Sequence, residues 1–102
     1  MYDAPTRQIQ KSEPNSLEFI PPGTVRIGNR EQRVGGVVYR LLKTLFESPT
    51  RDRTISLLEV RVWGKPVNQN TLWSACRRAR HVLIKLKHPL RVAQDGDRIV
   101  LV

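Results

Sequence analysis

Between Asn70 and Lys87 the sequence runs NTLWSACRRARHVLIKLK, and within it Leu72, Cys76, Ala79, Leu83 and Leu86 recur at steps of four, three, four and three. That is the period of a helix and not of a strand, so the segment predicts one amphipathic helix over residues 70–87 with these side chains as its buried stripe. On the opposite side of the same wheel fall Asn70, Ser74, Arg77, His81 and Lys85, with Arg78 on one flank and Arg80 on the other. The rest of the chain has to cover the apolar stripe and leave the basic face open.

A charged helix face is usually only a solvated one. The charge distribution argues for more. From Val60 through Gln94 there is no Asp or Glu, while Arg61, Lys65, Arg77, Arg78, Arg80, Lys85, Lys87 and Arg91 all lie there. Solvated faces mix signs, because opposite pairs four residues apart stabilise a helix and like pairs cost roughly 0.2–0.5 kcal/mol each. An anionic partner would neutralise the uncompensated repulsion, which makes nucleic acid the leading expectation.

The 102 residues allow one domain with a modest core. Eighteen Lys and Arg against nine Asp and Glu give a formal net charge of +9, which suits phosphate backbones and anionic membranes alike. No apolar run reaches membrane-spanning length, and Met1 to Lys11 lacks the basic-then-apolar order of a signal peptide. The expectation is a soluble, cytoplasmic, nucleoid-associated chain with no membrane partner. The single cysteine, Cys76, cannot form an internal disulfide and lies on the apolar stripe, where cysteine acts as a small hydrophobe. With His81 and His88 it offers no zinc spacing, so neither a metal nor a cofactor is expected.

Taken in order, residues 1–22 hold Pro5, Pro14, Pro21 and Pro22 among polar residues and read as a flexible arm whose cations are Arg7 and Lys11. Leu17 to Ile20 could dock as an edge strand, ended by Pro21-Pro22-Gly23. The folded domain is expected over residues 23–102. Thr24 to Ile27 and Glu31 to Val34, joined through Gly28-Asn29, predict a small hairpin. Val37, Val38, Leu41, Leu42, Leu45 and Phe46 follow helical spacing until Ser48-Pro49 stops it. Thr54-Ile55 can add a brief strand. Ser56-Leu57-Leu58-Glu59 matches a capping box, so a helix should begin at Ser56 and close at Gly64. Lys65 to Gln69 then leads to the central helix, capped by Asn70 or Thr71 and ended by Pro89. Leu90 to Ala93 and Arg98 to Val102, separated by Gln94-Asp95-Gly96-Asp97, predict a closing hairpin.

Three helices, a helix-turn-helix pairing of the second and third, a small N-terminal hairpin and a C-terminal β-hairpin define an α+β winged helix. The residues themselves agree. Tyr39-Arg40-Leu41-Leu42-Lys43-Thr44-Leu45, then Val62-Trp63-Gly64, then Asn70-Thr71-Leu72 and the Arg-rich helix resemble the OmpR/PhoB-type winged-helix effector domain of bacterial response regulators. The similarity covers roughly Thr24 to Val102. It implies that the third helix reads the major groove of double-stranded DNA and that the wing reaches the adjacent minor groove or backbone. The wing tip, Gln94-Asp95-Gly96-Asp97, stands in place of the family's usual basic one.

A helix lying in the major groove directs its N-terminal half at base edges, so Ser74, Arg77, Arg78 and His81 are the candidate base readers. Arg51, Arg53, Thr54, Ser56, Asn70, Thr71, Arg80, Lys85 and Arg98 are the candidate phosphate contacts. Association of two copies on DNA is left open. His81 has no Ser, Cys or carboxylate within a helical turn, and Gly35-Gly36 lacks the spacing and lysine of a phosphate loop, so neither an enzyme nor a small-molecule substrate is expected. Two other readings are a winged helix used as a protein-interaction module, for which Trp73 and Ile84 beside the basic face would serve, and RNA binding. Trp73 and Ile84 are expected to pack under the wing. The chain's six aromatics, with Phe46 and Trp63 assigned to the core, offer few stacking platforms for single strands.

Overall fold

The computed structural model describes residues 17–102; residues 1–16 of the expected arm, with Arg7 and Lys11, lie outside the described residues. Three strands, β1 (Glu18–Ile20), β2 (Thr24–Ile27) and β3 (Arg30–Arg33), form an antiparallel sheet in that order. Helix α1 (Gly36–Glu47) follows, then strand β4 (Asp52–Thr54), helices α2 (Ile55–Trp63) and α3 (Gln69–Lys85), and the hairpin β5 (Val92–Asp95) and β6 (Arg98–Leu101). Strand β4 adds to the hairpin, giving a second antiparallel sheet of order β4-β6-β5.

The apolar stripes meet in one core. Leu41, Leu42 and Leu45 of α1, Leu58 and Val62 of α2, and Leu72, Cys76, Ala79 and Leu83 of α3 are all buried together. Ala75 and Val82 widen the α3 stripe, and Ile99 and Leu101 bring the wing into the same cluster. Thr44, buried on α1, satisfies its hydroxyl by donating to the Arg40 carbonyl at 2.7 Å. Arg40 in turn sends its Nε 3.0 Å to the carbonyl of Val62, so α1 satisfies an otherwise orphaned acceptor at the end of α2.

At the N-terminus the expected hairpin forms from β2 and β3, and the edge strand read over Leu17 to Ile20 joins it as β1, so the sheet has three strands and this part of the segment assigned to the arm packs on the fold. Phe19 pairs with Val25 across the sheet, and its ring sits 5.7 Å from that of Tyr39 and 6.1 Å from that of Phe46. Leu17 and Phe19 share one face of the strand, and burying that face over α1 outweighs the disruptive Pro21-Pro22, which lies in the turn just beyond it with a cis peptide bond. The prolines end β1, as the sequence predicts. The third strand also starts one residue earlier than its pattern predicts.

Both helix starts of the helix-turn-helix shift as well. Helix α2 begins at Ile55, capped by Thr54, whose hydroxyl accepts from the Leu57 amide at 3.3 Å. The Ser56–Glu59 capping box does not form. Thr54 pairs with Arg98 in the sheet, so the chain leaves β4 directly into the helix and the cap position falls on its last residue. Glu59 instead accepts from the Val67 amide at 3.4 Å and braces the turn into α3. Helix α3 is capped by Asn68, whose Oδ1 accepts from the Thr71 amide at 2.8 Å, and not by Asn70 or Thr71.

The stops of α2 and α3 are set by left-handed residues. Gly64 closes α2 at φ 76°, its amide shared between the carbonyls of Glu59 and Val60. Helix α3 ends at Lys85, two residues before its expected limit. Lys87 takes φ 58°, its amide donates to Ile84, and the amide of His88 donates to Leu83, the double closure of a Schellman motif. His88, next in line, is buried edge-on against Phe46 and its Nδ1 accepts from the Leu90 amide at 3.1 Å.

Two consequences can be measured in denaturant melts. Leu83→Ala is expected to cost about 2–5 kcal/mol, since the side chain is fully buried between helices; a loss under about half a kcal/mol would mean that the stripe is wrongly assigned. Thr54→Ala should cost about 1 kcal/mol through loss of the cap, whereas the exposed Ser56→Ala should change stability by less than about half a kcal/mol. The reverse order would restore the capping box.

Candidate nucleic-acid interface

Burial of the α3 stripe fixes the rotation of that helix, and the remaining arc faces solvent. Ser74, Arg77, Arg78 and His81 are all exposed, together with Asn70 at the start of the arc and Lys85 at its end. Arg78 turns back along the helix, its Nε 3.4 Å from the carbonyl of Ser74. No acidic side chain lies on α3, and the first turn offers backbone amides and side-chain donors. The four candidate base readers are therefore brought together on one face.

Arg80 lies beside this arc on the side nearer the wing. With Trp73, Cys76 and Arg77 it borders a shallow hollow of about 180 Å³ against Val92 of β5. A second hollow, about 170 Å³, opens on the other side of Trp73 between α2, α3 and Gln94. Trp73 is 40% exposed and Ile84 46%, so neither is covered by the wing as the sequence predicted. The wing buries Val92, Ile99 and Leu101 in the core and approaches Trp73 through Val92 and Gln94, which border the two hollows beside it.

The other candidates are held elsewhere. Arg51, at φ 62°, stacks its guanidinium 5.3 Å from the centre of the Phe46 ring. The Nε of Arg53 lies 3.4 Å from the Thr44 carbonyl, near the C-terminal end of α1, where a cation is favoured by the helix dipole. Thr54 is engaged as the α2 cap. Ser56 is exposed in the first turn of α2, and Thr71, half-buried, donates its amide to the α3 cap.

Arg98 is matched by an acid. Its Nε and Nη2 lie 3.2 and 3.4 Å from the two carboxylate oxygens of Asp52 on the neighbouring strand. The Thr50 hydroxyl and then the Arg98 guanidinium, both bonded to Asp52, hold its carboxyl below the usual range, and the same contact raises Arg98. The wing tip beyond carries exposed Asp95 and Asp97 around a two-residue turn, Gly96-Asp97. Gly96 alone has positive φ, at 65°, the pattern of a type II′ turn in place of the expected Asp-Gly centre. Among the described residues no group of three His, Cys, Asp or Glu could hold a metal ion, and no helix is long and apolar enough to cross a membrane.

The sequence matches no protein-family model and no curated protein. Among solved structures, the fold is similar to the C-terminal domain of the nisin resistance regulator NsrR, a lantibiotic response regulator. The TM-score is 0.69 at 17% identity, over 83% of this chain and 90% of that one. At that identity the likeness speaks to architecture: the chain is an α+β winged helix, the fold its pattern and its resemblance to response-regulator effector domains both predicted.

Cys76 lies under this face, and burial pushes its thiol from an ordinary value near 9 up to about 11. Because the folded state disfavours the thiolate, its contribution to stability is complete below about pH 9 and is lost as pH rises toward 11. Native protein should resist alkylation by iodoacetamide at pH 8 and react at once when denatured. Equal rates in both states would place the thiol outside the core.

Proposed function

We propose that this chain is a sequence-specific double-stranded DNA-binding module of a bacterial transcription regulator, with α3 lying in the major groove. The observation that supports this most directly is the exposed arc of α3, which carries Arg77, Arg78 and Lys85 with no acid among them. Such a face is electrostatically unfavourable in the free protein and is relieved by a polyanion. The neighbouring regulator domain is a second, weaker support, since its likeness is one of fold.

In this reading Ser74, Arg77, Arg78 and His81 contact base edges. Arg77 has the leading role, because it sits near the centre of the exposed arc and a guanidinium can grip guanine O6 and N7 together. Asn70, Thr71, Arg80 and Lys85 meet phosphates along the two strands, aided by the amides of the α3 N-terminus. Ser56 and Thr54 serve the start of α2; the Thr54 oxygen accepts from Leu57 while its O–H stays available to a phosphate. Arg51, Arg53 and Arg98 are secondary phosphate contacts, each with donors beyond those its protein partner takes up. The protein acts by binding, in the cytoplasm at the nucleoid, without cofactor, membrane or small-molecule substrate, and two copies can occupy paired half-sites.

A salt titration of binding to duplex DNA, single-stranded DNA and RNA tests the reading. Duplex should bind most tightly, with log K falling linearly in log salt at about 0.9 per phosphate contacted. Arg77→Ala should then lose about 1–3 kcal/mol on the selected site and leave weak, salt-sensitive binding to random duplex largely intact. Equal losses on both duplexes would reduce Arg77 to a phosphate contact. Preference for RNA would favour the RNA-binding reading, and binding to none of the three the protein-interaction reading.

A further inference from the structure

We propose that Trp73 is a specificity-determining residue that reads thymine, its indole meeting the C5 methyl group of one thymine in the major groove. This rests on the DNA-binding reading above and adds to it an apolar contact that the cationic arc does not supply. Trp73 is the largest side chain on α3 and stands 40% exposed in the helix's second turn. Arg77 follows it at four residues, Arg80 at seven and Ile84 at eleven, so these four form one stripe along the wing side of the helix.

Two hollows flank the ring, so its edges stay open to an incoming group. One hollow beside it is floored by Ile55, Val67 and Leu72, with the Glu59 carboxylate there turned to the Val67 amide. The other is floored by Cys76 and Val92.

Its surroundings select the partner. An apolar protein groove closing over Trp73 would also have to bury Arg77 and Arg80, which share its hollow, and unpaired buried cations are costly. A DNA duplex satisfies both arginines with phosphates or base acceptors. The apolar group it then displays on the floor of the major groove is the thymine methyl, and the N-terminal half of an inserted helix is the part that reaches that floor. Cytosine presents no methyl there, so an indole at this position favours T·A over C·G.

The test uses the full chain and a duplex enriched from a random pool, resynthesised with deoxyuridine in place of thymidine at each position in turn. Base pairing is unchanged and only the methyl is removed. Wild type is expected to lose affinity about three- to fivefold at one position, the effect of withdrawing one buried methyl-sized group. W73A, and W73S as a second variant in case the first fails to fold, should bind the thymine duplex more weakly and be indifferent to deoxyuridine at that position. Wild type indifferent at every position would overturn the proposal while leaving DNA binding in place, and a folded variant still sensitive to the methyl would assign the reading to another residue. A wild-type chain that enriches no duplex would overturn the DNA-binding reading itself, and this inference with it.

Discussion

The interaction on which everything else depends is burial of the α3 stripe. Leu72, Ala75, Cys76, Ala79, Val82, Leu83 and Leu86 are removed from water on one side of a single helix. A buried leucine contributes about 1.5–3 kcal/mol, against about 0.2–0.5 kcal/mol for each like-charge pair left on the outer face. The stripe therefore decides how the helix is turned, and the arginines accept the orientation it imposes. Turning the helix by one residue would rotate the arc by about 100° and bury Arg77 or Arg80 in place of Cys76. The small residues Ala75 and Ala79 are both fully buried within the stripe, and α1 packs against α3 in the same core.

This dependence explains what was legible in the sequence. Periodicity reports burial, and wherever burial alone fixes an element the reading agrees with the structure: the body of α1, the stripe of α3, the apolar positions of α2 and the strands of the wing. The winged-helix architecture follows from those elements and from Gly64, which closes α2 where the sequence predicts; α3 stops at the Lys87 turn, before Pro89 is reached. The open arc of Ser74, Arg77, Arg78 and His81 was legible for the same reason, being the complement of the stripe.

What could not be read depended on contacts between distant segments. The choice of Thr54 over Ser56 as the α2 cap is made by the pairing of β4 with β6, some forty residues further on. Strand β1, which local alternation permits without requiring, is fixed by Phe19 packing against Tyr39 and Phe46 of α1, a gain that no local pattern reports. His88 gave no local signal either: one histidine in a polar stretch fits solvent as well as the core, and only the Schellman closure at Lys87 turns it inward. Trp73 is legible as an apolar residue off the spine, yet whether the wing covers it depends on how β5 packs beside α3, which no local pattern reports.

The wing departs most from what the family resemblance implies, and its contacts suggest why. Its arginine is engaged by Asp52, and its tip bears two carboxylates that a phosphate backbone would repel. The same tip is tied to the helix-turn-helix, because the carbonyl of Asp97 accepts from the Ile55 amide at 2.8 Å, satisfying one of the orphan donors at the start of α2. Strand β6 pairs with β4 immediately before that helix, and Ile99 enters the core below it. The wing thus braces the N-terminus of α2, while Arg40 fastens its C-terminus and Glu59 the turn beyond. A helix held at both ends sets the angle at which α3 leaves the turn. In this chain the wing acts on the exposed face of α3 through α2, and under the proposed DNA-binding reading contact with a polyanion falls to α3 and the residues that flank it.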